Sequence, residues 1–134
     1  MPSTVQQLPQ LQSESTIQTY FTTFNQGDFA AAASLFTDEA EMHAPFEAPL
    51  VGQSAIQAYL EQEAAGMVAN PQEVTCTELS SGLRRICVQG TAKALVFNVN
   101  VRWTFLLNPE DKIEQLEVKL LASLQELVTL RPSE

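Results

Sequence analysis

The feature that most constrains the fold of this chain is a change of period. Up to Gly66 the apolar residues return every three or four positions, whereas beyond Pro71 they return every second one. Ile17, Tyr20, Phe21 and Phe24 fall at i, i+3, i+4 and i+7, which predicts a helix with one apolar stripe that stops at the NQGD turn beginning at Asn25. Asp28 is placed to cap a second helix with Phe29, Ala33 and Phe36 on its stripe, and the run TDEAEMHAP then opens a short strand. Pro45 and Pro49 frame a loop. After Gly52 a third helix carries Ile56, Tyr59, Leu60 and Ala64 at helical spacing and ends at Gly66, a residue suited to the left-handed cap conformation. Strand alternation follows over residues 72–79, 83–94, 96–107 and 113–121, separated by turn signals at Ser80-Ser81-Gly82 and Asn108-Pro109-Glu110-Asp111.

Helices first and a meander of strands afterwards predict an α+β domain, three N-terminal helices wrapped by the apolar face of a curved antiparallel sheet. Its limits are residues 15–122. Before it lies an arm, residues 1–14, rich in Gln, Ser and Pro with nothing periodic to bury. After it, residues 123–134 form a tail whose run SLQELVTL reads as a short helix. A sheet that curls over helices leaves a concave, mostly apolar pocket at its open end, the natural place for a ligand.

Composition narrows the functions. With 134 residues, 45% of them apolar, one continuous core can form. Sixteen acidic against seven basic residues give a net charge of −9, which opposes phosphate backbones and anionic lipid, so nucleic acid is not an expected partner. The first residues lack the basic start and apolar block of a secretory signal, and no apolar run reaches the length of a membrane helix, so a soluble cytoplasmic protein is expected. Two cysteines, Cys76 and Cys87, lack the close spacing and further ligands that zinc needs, and no metal site is expected.

An enzyme working in an apolar pocket needs a titratable group on the inward face. The candidates are His43, the only histidine, with Glu41 and Glu47 as its nearest acids; strand alternation puts Glu41 and His43 on one face, which permits a base and its orienting group. The inward positions of the long strands, by contrast, are non-ionisable: Ile86, Val88, Ala92, Phe97, Val99, Val101, Phe105, Leu116, Val118 and Leu120. No phosphate loop, nucleophile elbow or metal-ligand cluster is present. Two inward residues carry a polar tip on an apolar body, Tyr20 on the first helix and Trp103 in the strand VFNVNVRWTFLL. Such a pair suits an elongated apolar ligand with one acceptor at its end, and equally suits a packed core whose donors meet backbone carbonyls.

The run TIQTYFTTFNQGDFAAAASLFTDEAEMHAPFEAPLVGQSAI resembles the opening of a nuclear transport factor 2-like domain, and RWTFLLNPEDKI with LLASLQELVTL is similar to the C-terminal domain of the orange carotenoid protein. Closer still are the stand-alone homologs of that domain found in cyanobacteria. The distinctive pieces are APFEAPLVG, the W-x-F-L-L-N-P-E string from Trp103, and LLAS from Leu120. The resemblance implies a nuclear transport factor 2-like cone that holds a ketocarotenoid, canthaxanthin or echinenone, and is not an enzyme. It implies that Tyr20 and Trp103 donate hydrogen bonds to the keto oxygen of the terminal ring, and that Val51, Met67, Val96, Phe105 and Val118 form the apolar wall. It further implies a homodimer sharing one carotenoid, exchange of pigment with helical carotenoid-binding proteins, transient contact with a membrane for pigment uptake, and a part in photoprotection. The compact ALVFNVNVRW replaces a longer stretch of the full-length photoprotective protein, as in the stand-alone homologs. In the tail, Leu124 stands where relatives have proline, and residues 125–130 are gate candidates by the same resemblance.

Two other readings stay open: a small-molecule isomerase or dehydratase of the same fold with His43 or Glu41 as base, and an interaction module that dimerises through its outer sheet face. The cysteines add one expectation. If Ser81-Gly82 is a two-residue turn, Ser80 pairs with Leu83 and Cys76 lies directly opposite Cys87 on the outward face, where an intrachain disulfide is sterically conceivable although a reducing cytosol favours thiols. The resemblance adds redox-dependent dimers, so both are redox candidates.

Overall fold

In the computed structural model, which describes residues 15–121, the change of period becomes a change from helix to sheet. The elements are α1 (Ser15–Gln26), α2 (Phe29–Ala33), β1 (Phe36–His43), β2 (Leu50–Val51), α3 (Gln53–Glu63), β3 (Val68–Glu78), β4 (Arg84–Ala94), β5 (Phe97–Leu107) and β6 (Ile113–Leu121). The expected arm and tail helix, with the gate candidates, lie outside the described residues. Among the described residues no helix is long and apolar enough to cross a membrane.

Helix ends follow local chemistry. Gly27, with φ of 77°, ends α1: its N–H reaches the Phe24 carbonyl at 3.0 Å and the Asp28 N–H reaches the Thr23 carbonyl at 2.9 Å. That pair of backward bonds satisfies carbonyls the helix leaves orphaned. Asp28 then accepts from the Ala31 N–H at 3.2 Å and caps α2, as its position in the sequence predicts. Helix α2 is one turn long, and Phe36 belongs to β1 rather than to the helical stripe. Phe36 pairs with Ile113, whose N–H bonds the Leu35 carbonyl at 2.9 Å, so sheet pairing overrides a 29–33–36 spacing that either state can accommodate.

The six strands form one curved sheet in the order β2-β1-β6-β5-β4-β3. It is mixed, where four antiparallel strands were expected: β1 runs parallel to β6, and the other neighbours are antiparallel. A meander of β3 to β6 alone leaves the edge of β6 open, and β1 covers that row of unpaired amide groups. At the opposite edge β3 starts at Val68, upstream of the expected boundary, and runs through Pro71. Proline is tolerable there because the strand is at the edge and a register shift lies between Pro71 and Glu73.

The β3–β4 turn corrects a second expectation. The Leu79 N–H donates to the Leu83 carbonyl at 2.8 Å across three loop residues, with Ser81 and Gly82 both at positive φ. That extra residue slides the register by one, so Cys76 faces Ile86 and Cys87 faces Thr75. Cross-strand partners share a face and successive residues do not. Cys76 therefore packs against the core side with Ile86, Cys87 lies on the outer side, and an intrachain bond between them is out of reach.

The helices lie against the inner sheet face. Ile17, Tyr20, Phe21, Phe24, Ile56 and Leu60 form a single buried cluster with Ile86, Val88, Val101, Trp103, Phe105 and Leu116. Burying each large side chain is worth roughly 1.5–3 kcal/mol. The Asn25 side chain ties helix to sheet edge, accepting from the Ala69 N–H at 2.7 Å and donating to the Ala69 carbonyl at 2.9 Å. At the far end Thr16 donates to the Asp111 carbonyl at 2.7 Å, while the Asp111 carboxylate accepts from Arg84.

A candidate ligand cavity at the open end of the sheet

Exposure along the inner face of β5 locates the opening. Leu107 and Phe105 are fully buried and Trp103 is 4% exposed, but Val99 is 36% and Phe97 is 68% exposed. The helices cover one end of the sheet and leave the other bare. Phe97 and Val99 point inward by alternation, as expected, yet they lie beyond the cover and are not core.

Where cover gives way, a cavity of about 310 Å³ opens. Its inner wall holds Tyr20, Phe24, Met42, Leu60, Val101 and Trp103; toward solvent it is edged by Phe46, Glu47, Tyr59, Glu63, Val99 and Leu120. Helix α1 delivers Tyr20 because its stripe faces the sheet. The tyrosine ring packs edge-on to Phe105 at 5.4 Å and Phe36 at 6.1 Å, and Phe21 packs edge-on to Trp103 at 4.9 Å. These rings hold both polar-tipped side chains in place through edge-on packing.

Among the described residues, none hydrogen-bonds the Tyr20 hydroxyl or the Trp103 indole N–H. Neither tip is sealed away as a fully buried orphan; both side chains line the cavity, where a ligand's acceptor can reach their donors. Burial, with a smaller contribution from nearby Tyr59, holds the Tyr20 phenol well above the ordinary tyrosine range. It is a donor and not a base at any physiological pH. Tyr59 is also raised, first by burial and then by the carboxylates of Glu47 and Glu63.

The five expected wall residues divide. Met67 and Val118 line the cavity, and Phe105 stands behind Tyr20 in the second layer of rings. Val51 and Val96 are outside the lining: Val51 pairs with Glu41 and so takes the outer face, and Val96 sits 85% exposed at the tip of the β4–β5 hairpin. The candidate base is likewise elsewhere. His43 Nε2 is 3.0 Å from Glu41 Oε1, so the two do share a face. Met42 between them lines the cavity, however, and alternation sends both of its neighbours to the outer side, opposite Gln115 and Glu117. Phe46, Tyr59 and Glu63 escaped the reading of the sequence as lining residues. Tyr59 carried a signal, a phenol on an otherwise aliphatic helical stripe; Phe46 and Glu63 carried none.

The arrangement can hold an apolar body with a neutral acceptor at its inner end. Among the described residues, its ionisable lining consists of the two tyrosines and of Glu47 and Glu63, both exposed.

A profile of the SnoaL-like domain matches residues 17–113. The chain is 30% identical over 122 residues to the orange carotenoid-binding protein of Limnospira maxima, covering 88% of this chain but only 38% of that protein, within its C-terminal domain. Among solved structures, the orange carotenoid protein of Anabaena (Nostoc) binding canthaxanthin superposes with a TM-score of 0.79 at 30% identity, over 87% of this chain and 38% of that one. A ketosteroid isomerase-like protein from Erwinia carotovora superposes at 0.68 with 17% identity, over 82% of this chain and 94% of that one, which is a likeness of fold alone.

Proposed function

The chain belongs to the SnoaL-like domain family, and from that premise we propose that it is a non-catalytic ketocarotenoid-binding protein that carries and transfers its pigment. The observation that supports the reading best is the pair of unpartnered donors, Tyr20 and Trp103, on one apolar cavity. A keto oxygen on the terminal ring, as in canthaxanthin or echinenone, accepts from both. Met67 and Val118 pack on the ring, and Phe105 backs Tyr20. Each hydrogen bond contributes about 1 kcal/mol net, while apolar burial gains roughly 25 cal/mol per Å², so the wall supplies affinity and the donors supply orientation.

A cavity of about 310 Å³ is at the small end for a ligand site and accommodates an end ring, not a whole carotenoid. The rest of the polyene must leave through the mouth. Phe46 lines that mouth, and beyond Val99 the β4–β5 hairpin carries Leu95, Val96 and Phe97, all four strongly exposed. Two chains meeting there form a homodimer sharing one pigment, which they exchange with helical carotenoid-binding proteins in a photoprotective role, taking it up in transient contact with a membrane. The enzyme reading has less support, since His43 and Glu41 lie on the outer face and the mouth offers only exposed carboxylates.

Expression in cells that make canthaxanthin tests the proposal by colour. Wild-type protein should purify as an orange to violet species, and Tyr20→Phe with Trp103→Phe should shift the bound pigment to the blue as the ketone loses both donors. Colourless protein, or an unchanged spectrum in the double variant, rejects the assignment.

A further inference from the structure

Resting on that reading, we infer that Glu47 and Glu63 form a charge filter at the mouth, so that the cavity accepts neutral keto-ring ligands and rejects carboxylates of the same shape. Four facts carry this. Both carboxylates line the cavity, and both are exposed, one from the loop after β1 and one from the last turn of α3. Among the described residues, no lysine, arginine or histidine lines it with them to neutralise the pair. At the inner end Tyr20 is 1% exposed and no other described residue hydrogen-bonds its hydroxyl, which marks that end as the place where a ligand's acceptor docks. Beside them at the rim stands Tyr59, whose phenol is raised first by burial and then by both carboxylates, so their field acts on a half-buried side chain of the lining.

Polarity thus fixes which way a ligand lies. The ketone goes inward, where donors wait and no counter-charge is present, and the chain leads outward past two negative charges. An anionic chain end meets like charges in partly apolar surroundings, where Coulomb energy is screened less than in water. A hydroxyl or hydrocarbon end meets no such barrier, and a hydroxyl can donate to either carboxylate. The proposed ligand class is a neutral ring ketone with an alcohol or hydrocarbon arm, as distinct from the acids formed when such chains are cleaved and oxidised.

The test compares 4-oxoretinol with 4-oxoretinoic acid, which share the keto ring and differ at the chain end, using quenching of the single tryptophan, Trp103. Wild-type protein should favour the alcohol by about tenfold at neutral pH and low salt, the size expected of two partly screened like-charge contacts. In Glu47→Gln with Glu63→Gln that preference should fall to about twofold or less. Glu73→Gln with Glu114→Gln removes the same net charge from exposed residues outside the lining and should keep the preference. Equal binding of the two ligands by wild type, a preference unchanged in the mouth variant, or its equal loss in the control overturns the filter alone. If neither ligand binds while the protein is folded, the keto-ring reading of the cavity fails, and the filter falls with it.

Discussion

At the scale of a residue, Tyr20 joins stability to the site. Its ring is a hub of the aromatic cluster, and its hydroxyl is a polar tip that no other described residue hydrogen-bonds. Burial raises its pKa above the ordinary 10, so folding favours the neutral phenol. The stability linked to that preference is complete below the unfolded pKa and is lost as pH rises beyond it, because the unfolded chain releases a proton the folded one keeps. Urea unfolding midpoints at pH 8 and pH 11 should therefore fall further for wild type than for Tyr20→Phe, the difference cancelling the other groups that titrate in that range. Parallel falls would show that the phenol ionises freely in the fold. Trp103 carries the same duality without a titration. Both were legible in the sequence, because a polar-tipped aromatic on an apolar face is visible from spacing alone. Their lack of a partner was not, since satisfaction depends on backbone carbonyls from distant elements.

At the scale of elements, parity was easier to read than extent or register. Alternation along β5 assigns every residue to its face, but only the placement of α1 and α3 decides that Val101 is core and Phe97 is rim. In β1 the shared face of Glu41 and His43 was legible, whereas its direction had to be taken from Ala40 and Met42, the buried alternates between and before them. The cysteine register depended on whether the β3–β4 turn held two residues or three, and Ser81 takes a left-handed conformation that serine rarely signals. Gly90 shows a constraint of the same kind on β4. A Cβ there would collide with the Asn70 carbonyl oxygen and lie 2.9 Å from the Pro71 Cα, because β3 approaches its neighbour closely where its register shifts. Gly90→Ala should cost about 1–3 kcal/mol as β3 is pushed outward, read as a lower urea midpoint with faster amide exchange in β3. An unchanged midpoint would mean that β3 does not hold this close approach in solution.

For the whole molecule, the decisive quantity is the mismatch between what the cavity encloses and what the proposed ligand exposes. About 310 Å³ leaves most of a carotenoid outside, and a conjugated hydrocarbon in water is strongly unfavourable in proportion to its bare area. The bare rim of the mouth has the same difficulty, since exposed apolar residues grouped in one region commonly mark an interface. Leu95 even adopts a positive φ at the hairpin tip, with the side chain 87% exposed, where a polar turn residue would serve a monomer better. One contact between two mouths covers both. Against it stands charge: each chain carries −9, so two copies repel at long range until salt shortens the screening length to about 8 Å at physiological strength. A dimer held by apolar rims and opposed by like charge must therefore tighten as salt rises, the reverse of one held by ion pairs. Light scattering across a salt series, with visible absorbance giving pigment per chain, should find one pigment per two chains and a dissociation constant that falls with salt. Val96→Glu with Phe97→Glu should yield a folded monomer that loses its pigment, because the polyene then has no second cover. A wild-type monomer holding one pigment of its own would instead mean that the carotenoid is shielded from within a single chain.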